Sequence, residues 1–305
     1  MNGQAGDAVD VSVLVVTYNH AQYVEEALRS VAAQETDRSF EIIISEDCST
    51  DETRALVTDF ADHEPRARLL LSTHNVRSNE VVARGIRSAN GRYLCILDGD
   101  DYWTSPTKLE RQAAVLDGDP TLSACFHNAR VDRGDGRLED LWTPVPQAAR
   151  VTAEEIWSGN PYATCAGMLR VSALGSLDGW YDDLFPITDW PLYILCTEHG
   201  DIAFEDEPVA VYRLHDGGEF SSLPTPTKFK MMSSFYQRMD AALCYRSHDR
   251  AKAGASRYFF DWARVFATQG DRAMGRSCLR LCLRAGGVGT SVGRREFARC
   301  AWQLR

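Results

Sequence analysis

At 305 residues and 34.0 kDa the chain has room for one large α/β domain with a helical appendage, or for two modest domains. Apolar residues at 44% and charged residues at 25% are ordinary for a globular protein, and a net charge of -10, from 33 basic against 43 acidic residues, argues against nucleic acid as the main partner. No apolar run approaches the roughly 20 residues needed to cross a bilayer, and the start, Met1 to Asp7, lacks the basic residues and apolar core of a secretory signal, so a cytoplasmic address is expected.

In chain order, Val9 to Val16 reads as a strand buried on both faces, because its run of β-branched residues is nearly continuous. Gln22 to Ala33 follows as a helix with Val24, Ala27, Leu28 and Val31 on one stripe. Phe40 to Ser45 is a second strand and Asp51 to Ala61 a helix, with Ser49 as its expected N-cap and Glu52 at the capping-box offset. Arg68 to Leu71 is a short third strand, Val76 to Ser88 a helix, and Arg92 to Leu97 a fourth strand after the turn Asn90-Gly91. Such strand and helix repeats predict a mainly parallel sheet flanked by helices, whose ligands bind beyond the carboxyl ends of the strands. Thr17-Tyr18-Asn19, Glu46-Asp47 and Asp98 to Asp101 are therefore expected on one rim.

Ser105-Pro106 is expected to open a helix through Leu116, with Ser105 as N-cap. Leu122 to Val131 reads as a strand, Gly134-Asp135-Gly136 as a turn, and Glu139 to Gln147, with Pro144 and Pro146, as a loop. Thr152 begins a capping box for a short helix, Thr164 to Val171 returns to strand, Asp189 to Glu198 is helical, and Val209 to Leu214 is a last strand. The break Ser221 to Pro226 marks a boundary. Only helical patterns follow: Lys228 to Arg246, Ala251 to Thr268, Asp271 to Ala285 and a short tail helix. Residues 271 to 305 hold eight arginines, no lysine and two acids, which reads either as a packed terminal hairpin with a solvated basic face or as a surface for membrane or partner.

None of the nine cysteines forms a CxxC pair, and Cys95, Cys125, Cys196 and Cys244 sit in segments that read as elements, as reduced buried thiols do. The sequence Cys278/Cys282 has i,i+4 spacing but no further Cys or His at zinc-ligand distance.

The richest chemistry is Asp98-Gly99-Asp100-Asp101, directly after an apolar strand. Carboxylates fixed at a strand end cost folding energy unless a cation or a polar ligand offsets them. Asp98 and Asp100, two apart, are expected to point the same way, with Gly99 leaving room for a ligand; a divalent metal carrying phosphate suits such oxygens. At the first strand's end, Tyr18 is placed either to stack on a planar base or simply to open a loop, and no GxGxxG motif is there to take NAD or FAD. Asp47 either accepts the ring N–H of uracil, thymine or guanine, or caps a turn.

Val11 to Asn19, Glu41 to Thr53, Asn75 with Arg84 to Gly91, and Leu97 to Trp103 closely resemble, in order, the N-terminal half of family 2 glycosyltransferases with the GT-A fold. The similarity continues more weakly to about residue 220 through Thr188-Asp189-Trp190 and Val211 to His215. The resemblance implies a GT-A Rossmann-like α/β fold with residues 1–104 as a donor-binding half, 105–220 as an acceptor-binding half and 227–305 as an all-helical C-terminal extension. It implies a metal-dependent inverting transferase that moves a sugar from a UDP- or dTDP-linked donor to an acceptor hydroxyl, using Mn2+ or Mg2+. Thr17, Tyr18, Asn19, Asp47, Arg84, Asp98, Gly99 and Asp100 are expected around the donor, Arg84 having a helix salt bridge as its alternative, with Asp98 and Asp100 near the metal and His215 either a ligand to the metal or diphosphate or a surface histidine in a turn. Asp189 is the expected general base, although Thr188 replaces the acid that often precedes it, and Asp182 and Asp183 are rivals. Trp180 and Trp190 are either acceptor walls or core. The acceptor class, whether sugar, lipid-linked or small molecule, stays open, with peripheral membrane or oligomer contact through the C-terminal helices. The alternatives are a sugar-1-phosphate nucleotidyltransferase and a non-catalytic glycan- or lipid-binding module.

Overall fold

The computed structural model describes residues 9–134, 137–138, 140–143, 147–177, 179–215 and 223–305. The expected turn at Asp135-Gly136, the loop prolines Pro144 and Pro146, Asp216 to Gly218 and Ser221-Ser222 lie outside them, as do the first eight residues. Two compact units emerge, one of Met1–Val151 with Pro161–Ser222 and one of Thr152–Asn160 with Leu223–Arg305.

In the first unit the elements alternate: β1 (Val11–Thr17), α1 (Val24–Ala32), β2 (Phe40–Glu46), α2 (Thr53–His63), β3 (Ala67–Leu71), α3 (Glu80–Ser88), β4 (Tyr93–Asp98), β5 (Tyr102–Trp103), α4 (Lys108–Gly118), β6 (Leu122–Asp132) and β7 (Arg150–Val151). After residue 160 come β8 (Gly167–Arg170), the helix Trp190–Thr197 and β9 (Asp201–Arg213). Among the described residues nine strands form one sheet in the order β3-β2-β1-β4-β8-β6-β9-β5, with β7 also on β9. Strands β3, β2, β1 and β4 pair in parallel, as the βα repeats predict, whereas β8 joins antiparallel to both β4 and β6. Strand β1 lies between two parallel neighbours with Val11, Val13, Leu14 and Val15 inaccessible to water, which is why its sequence shows no polar alternation.

Several expected boundaries shift. Ser49 does not cap α2: that helix starts at Thr53, and the Ser49 hydroxyl instead accepts the Asn19 N–H at 3.0 Å. Ser105 is not an N-cap either, because its carbonyl accepts from Gln34 at 2.8 Å and α4 begins at Lys108. The strand expected from Thr164 starts only at Gly167, since Thr164–Ala166 form a 3-10 turn.

The second unit contains α5 (Ala153–Ser158), α7 (Thr225–Ala242), α8 (His248–Gln269), α9 (Arg272–Ala285) and α10 (Arg294–Gln303), the helix Trp190–Thr197 of the first unit being α6. Thr152 and Glu155 form the expected capping box before α5. Gly254 on α8 lies so close to the Trp157 carbonyl that a Cβ there has no room, and Tyr236 donates to the same carbonyl at 2.9 Å. Cys95, Cys125 and Cys196 are buried as expected, but Cys244 is exposed because it lies past the end of α7 with φ 52°. Among the described residues no helix is long and apolar enough to cross a membrane.

Candidate active site

Parallel register alone gathers the expected rim. Thr17 lies opposite Glu46 and Val16 opposite Asp98, so the ends of β1, β2 and β4 fall side by side. Beyond them the first two turns are latched together. Thr17 O accepts Asp47 N–H at 3.0 Å, Asn19 Oδ1 accepts Thr50 N–H at 2.8 Å, and Thr53 Oγ1 accepts His20 N–H at 2.8 Å. Asn19 carries φ 54°, a left-handed conformation that asparagine tolerates, and its side chain supports the strained turn. Tyr18 stands half-buried next to this latch.

Asp47 is 6% exposed, and Ser72 donates to its Oδ1 at 2.9 Å while Val76 N–H lies 3.1 and 3.2 Å from its two oxygens. The carboxylate thus holds the segment 72–76, with lone pairs left on Oδ2. Arg84 reaches the same rim from α3, donating to Ser45 Oγ at 2.8 Å, Ser72 Oγ at 2.6 Å, Glu46 O at 3.0 Å and Leu70 O at 3.1 Å. Its guanidinium knits β2 to β3 and orients the serine that holds Asp47. Beside it, buried Glu46 accepts from Arg54 Nε at 2.7 Å.

Gly99 differs from expectation in a revealing way. A Cβ there would lie 2.7 Å from Thr17 Oγ1 and 2.9 Å from His20 Nδ1, so the protein's own β1 turn, rather than a ligand, fills the space glycine leaves. Its N–H donates to Val16 O at 2.8 Å, locking the acidic turn onto β1.

The end of β9 closes over that turn. Arg213 N–H donates to Asp101 Oδ1 at 2.8 Å and Arg213 Nη1 to Asp100 O at 2.6 Å; the guanidinium also pairs with Glu26 and lies over the Tyr23 and Tyr102 rings. Arg213 is therefore a clamp on the acidic turn. His215 Nε2 is 2.8 Å from Asp100 Oδ2, and His20 Nε2 is 3.6 Å from the same oxygen. Burial pulls the His20 pKa below its ordinary value. Asp101 is 1% exposed, and burial, then the charges of Asp100 and Asp98, push its carboxyl well above the usual range.

Asp189 sits at the N-cap of α6. Its Oδ1 accepts Trp190 N–H at 2.7 Å and its Oδ2 accepts the Thr164 hydroxyl at 3.3 Å. Burial, then the charges of Asp101, Asp98, Asp189 and Asp100, push the Tyr212 phenol pKa up. Thr164 precedes Cys165, whose carbonyl accepts Trp103 Nε1 at 2.8 Å, which ties the Asp189 partner to the strand that follows the acidic turn. Burial and then Glu80 raise the Asp182 pKa, and burial, then Asp189, Asp98 and Asp182, push up that of buried Tyr181. Trp190 is buried, Trp180 is half-buried and donates to Ser176 O at 3.3 Å.

Among the described residues no group of three or more His, Cys, Asp and Glu side chains is arranged to hold a metal ion. The donor chemistry nonetheless fits one: Asp100 offers hard oxygens beside an imidazole nitrogen, and the phosphates of a ligand supply the oxygens that hard cations require. A separate open cleft of about 680 Å3 is lined by Gln22, Glu26, Arg29, Tyr102 and Thr104, and none of the four acids lines it.

Thr164, His20 and Lys108 escaped the sequence reading. Lys108 is fully buried, donating to Gln112 Oε1 at 2.7 Å and Gly167 O at 3.1 Å, with its ammonium 4.4 Å from the Trp103 ring centre. The available signal was Lys108 and Gln112, four apart on the stripe of Leu109, Ala113 and Leu116. Nothing in the sequence near Thr164 points to Asp189, 25 residues on.

The profile described as "Glycosyl transferase family 2" matches residues 12–174. The chain is 33% identical over 216 residues to an uncharacterised protein, Rv1520, of Mycobacterium tuberculosis, covering 70% of this chain but 62% of that relative's length. Its fold matches Staphylococcus aureus TarS residues 1–349 solved with UDP, at TM-score 0.66 and 18% identity over 97% of this chain and 88% of that one. It also matches the mannosyltransferase PcManGT of Pyrobaculum calidifontis, solved with GDP-Man and Mn2+, at TM-score 0.54 and 16% identity over 96% of this chain and 83% of that one. With a profile match over more than half its length and a GT-A fold, the chain belongs to glycosyl transferase family 2.

Proposed function

We propose that the protein is an inverting glycosyltransferase that moves a sugar from a nucleotide-diphosphate donor, UDP- or dTDP-linked, to an acceptor hydroxyl. The observation that carries this reading is the acidic turn at the carboxyl end of β4, beside the ends of β1 and β2, where His215 meets Asp100 at 2.8 Å and Arg213 N–H holds buried Asp101. Tyr18 and the Asp47 carboxylate receive the base, with Thr17 and Asn19 shaping the turn and Arg84 holding Asp47 through Ser72. Asp98 faces the ribose end of the donor. Asp100 and His215, with Asp98 nearby, would hold Mn2+ or Mg2+ together with the donor's phosphates; when bound, the cation neutralises charge on the departing nucleoside diphosphate. Residues 1–104 form the donor half in this reading, 105–220 the acceptor half and 227–305 the helical extension.

Asp189 takes the acceptor proton as the hydroxyl oxygen attacks the anomeric carbon, and one displacement inverts the configuration. A carboxylate of ordinary basicity suffices because the hydroxyl becomes acidic as its oxygen bonds to carbon. Asp189 is favoured over Asp182 because Trp190 N–H and the Thr164 hydroxyl hold its carboxylate, and Thr164 adjoins Cys165, whose carbonyl accepts Trp103 Nε1 two residues beyond Asp101. TarS, which has also been solved with UDP-GlcNAc, supports a uridine diphosphate donor by likeness of fold. A nucleotidyltransferase would need a glycine-rich basic triphosphate loop after β1, where this chain has Tyr18-Asn19-His20.

The test is a screen of UDP- and dTDP-sugars for metal-dependent hydrolysis by the parent and by Asp100→Ala, with water standing in for the acceptor. Turnover by the parent that chelation and Asp100→Ala both abolish supports the reading. Full turnover in the presence of a strong chelator refutes its metal role.

A further inference from the structure

The last two helices sort their side chains sharply. On α9 the buried row is Gly275, Cys278, Leu279 and Cys282. Arg272, Arg276, Arg280 and Arg284 follow one another at four-residue spacing and all are exposed, so they form a ridge about 18 Å long at 1.5 Å rise per residue. Leu283, 54% exposed, stands beside it. On α10, Phe297 packs against Phe260 at 6.4 Å between ring centres and Glu296 lies 3.8 Å from Arg257, which turns Arg295, Arg299 and Trp302 outward. Trp302 is 70% exposed. The two faces adjoin: Arg276 Nη1 donates to Leu304 O at 2.9 Å, and Gly275 lies against the Leu304 side chain.

Charge makes this face unusual. Residues 271–305 hold eight arginines against two acids, while the rest of the chain holds 25 basic against 41 acidic residues. Elsewhere in the same unit Arg257 pairs with Asp261, and Arg250 with Glu154. Among the described residues, none of Arg272, Arg276, Arg280, Arg284, Arg295 and Arg299 makes an ion pair, although like charges four apart on a helix repel one another.

We infer that this face of α9 and α10 docks on an anionic lipid bilayer. Guanidinium groups bind headgroup phosphates with paired hydrogen bonds, and their stems run along apolar surface while the charge stays wet. An exposed indole and an exposed leucine gain little from a soluble phosphate, whereas both gain from the boundary between headgroups and acyl chains. The acidic remainder of the chain disfavours a long soluble polyanion that would have to run beyond this face.

The experiment is sedimentation of the full chain with vesicles of phosphatidylcholine alone or with about 30 mol% phosphatidylserine. The expected result is binding to the anionic vesicles at least ~10-fold stronger than to the neutral ones, lost at about 0.5 M salt. The double variant Arg280→Glu, Arg284→Glu should weaken it ~10-fold or more with an unchanged circular dichroism spectrum, and Trp302→Ala several-fold. Should the double variant misfold, the salt series and Trp302→Ala carry the test alone. Equal binding to both vesicles, no binding, or indifference to these changes overturns the inference. So does heparin or RNA binding tighter than the bilayer, or self-association of the protein lost in the same variants, because the face then has a different occupant.

Discussion

His215 Nε2 lies 2.8 Å from Asp100 Oδ2, joining the segment after β9 to the acidic turn after β4 across 115 residues of chain. One oxygen of the expected metal-binding carboxylate thereby has an imidazole at hand before any ligand arrives. Sensitivity to metal should follow the pair: His215→Ala should raise the Mn2+ concentration for half-maximal donor hydrolysis ~10-fold, and removing the Asp100 carboxylate should raise it more. A metal titration of both variants checks this, and an unchanged midpoint for His215→Ala would make the histidine a surface group only.

The Thr164 hydroxyl and Trp190 N–H occupy different oxygens of Asp189, so the carboxylate is aimed by two donors from separate segments. Asp189→Asn should lower kcat by ~10²–10⁴ with little change in donor binding. Thr164→Val should lower kcat ~10-fold and shift its acidic pH limb upward, because the carboxylate loses a hydrogen bond that stabilises its charged form, and Thr164→Ser should restore both. Steady-state kinetics with donor affinity measured separately distinguishes aiming from mere support: equal loss in kcat and donor affinity, unrescued by serine, would show a structural role.

Gly99→Ala places a methyl 2.7 Å from Thr17 Oγ1 and 2.9 Å from His20 Nδ1. The β1 turn must move to admit it, at a cost of ~1–3 kcal/mol. Urea unfolding should show a lower midpoint at unchanged m value, and a stability equal to the parent's would mean the turn is softer than its packing implies.

His127 gives the fold an acid sensitivity. Burial pushes its pKa down to about 4, while its Nε2 donates to Glu205 at 3.0 Å. The unfolded chain titrates this histidine near 6.5, so between 6.5 and about 4 the unfolded state binds more protons and stability falls as pH falls. The contribution is fully present above pH 6.5 and lost below about 4, up to ~3 kcal/mol at 1.36 kcal/mol per pKa unit. His127→Leu, which leaves Glu205 paired with Arg111 at 3.2 Å, should show a smaller loss between pH 7 and pH 4.5 than the parent. Parallel stability curves for the two proteins would refute the assignment.

Sequence alone determined the strand and helix alternation through β4, because buried parallel strands and one-sided helices each leave a local pattern of apolar residues. It also put the acidic turn at the end of a strand and Asp189 at the start of a helix, where the structure has them, because each stands in a contiguous motif. What it left undecided was which side chains meet across the sheet. Thr17 and His20 filling the hollow at Gly99, Thr164 aiming Asp189, Arg213 clamping Asp100 and Asp101, and buried Lys108 donating to the Gly167 carbonyl are contacts between distant segments. The antiparallel insertion of β8 between β4 and β6 belongs with them. Periodicity reports which face of an element is buried, but the partner on that face is set by strand order and register, which only the folded chain specifies.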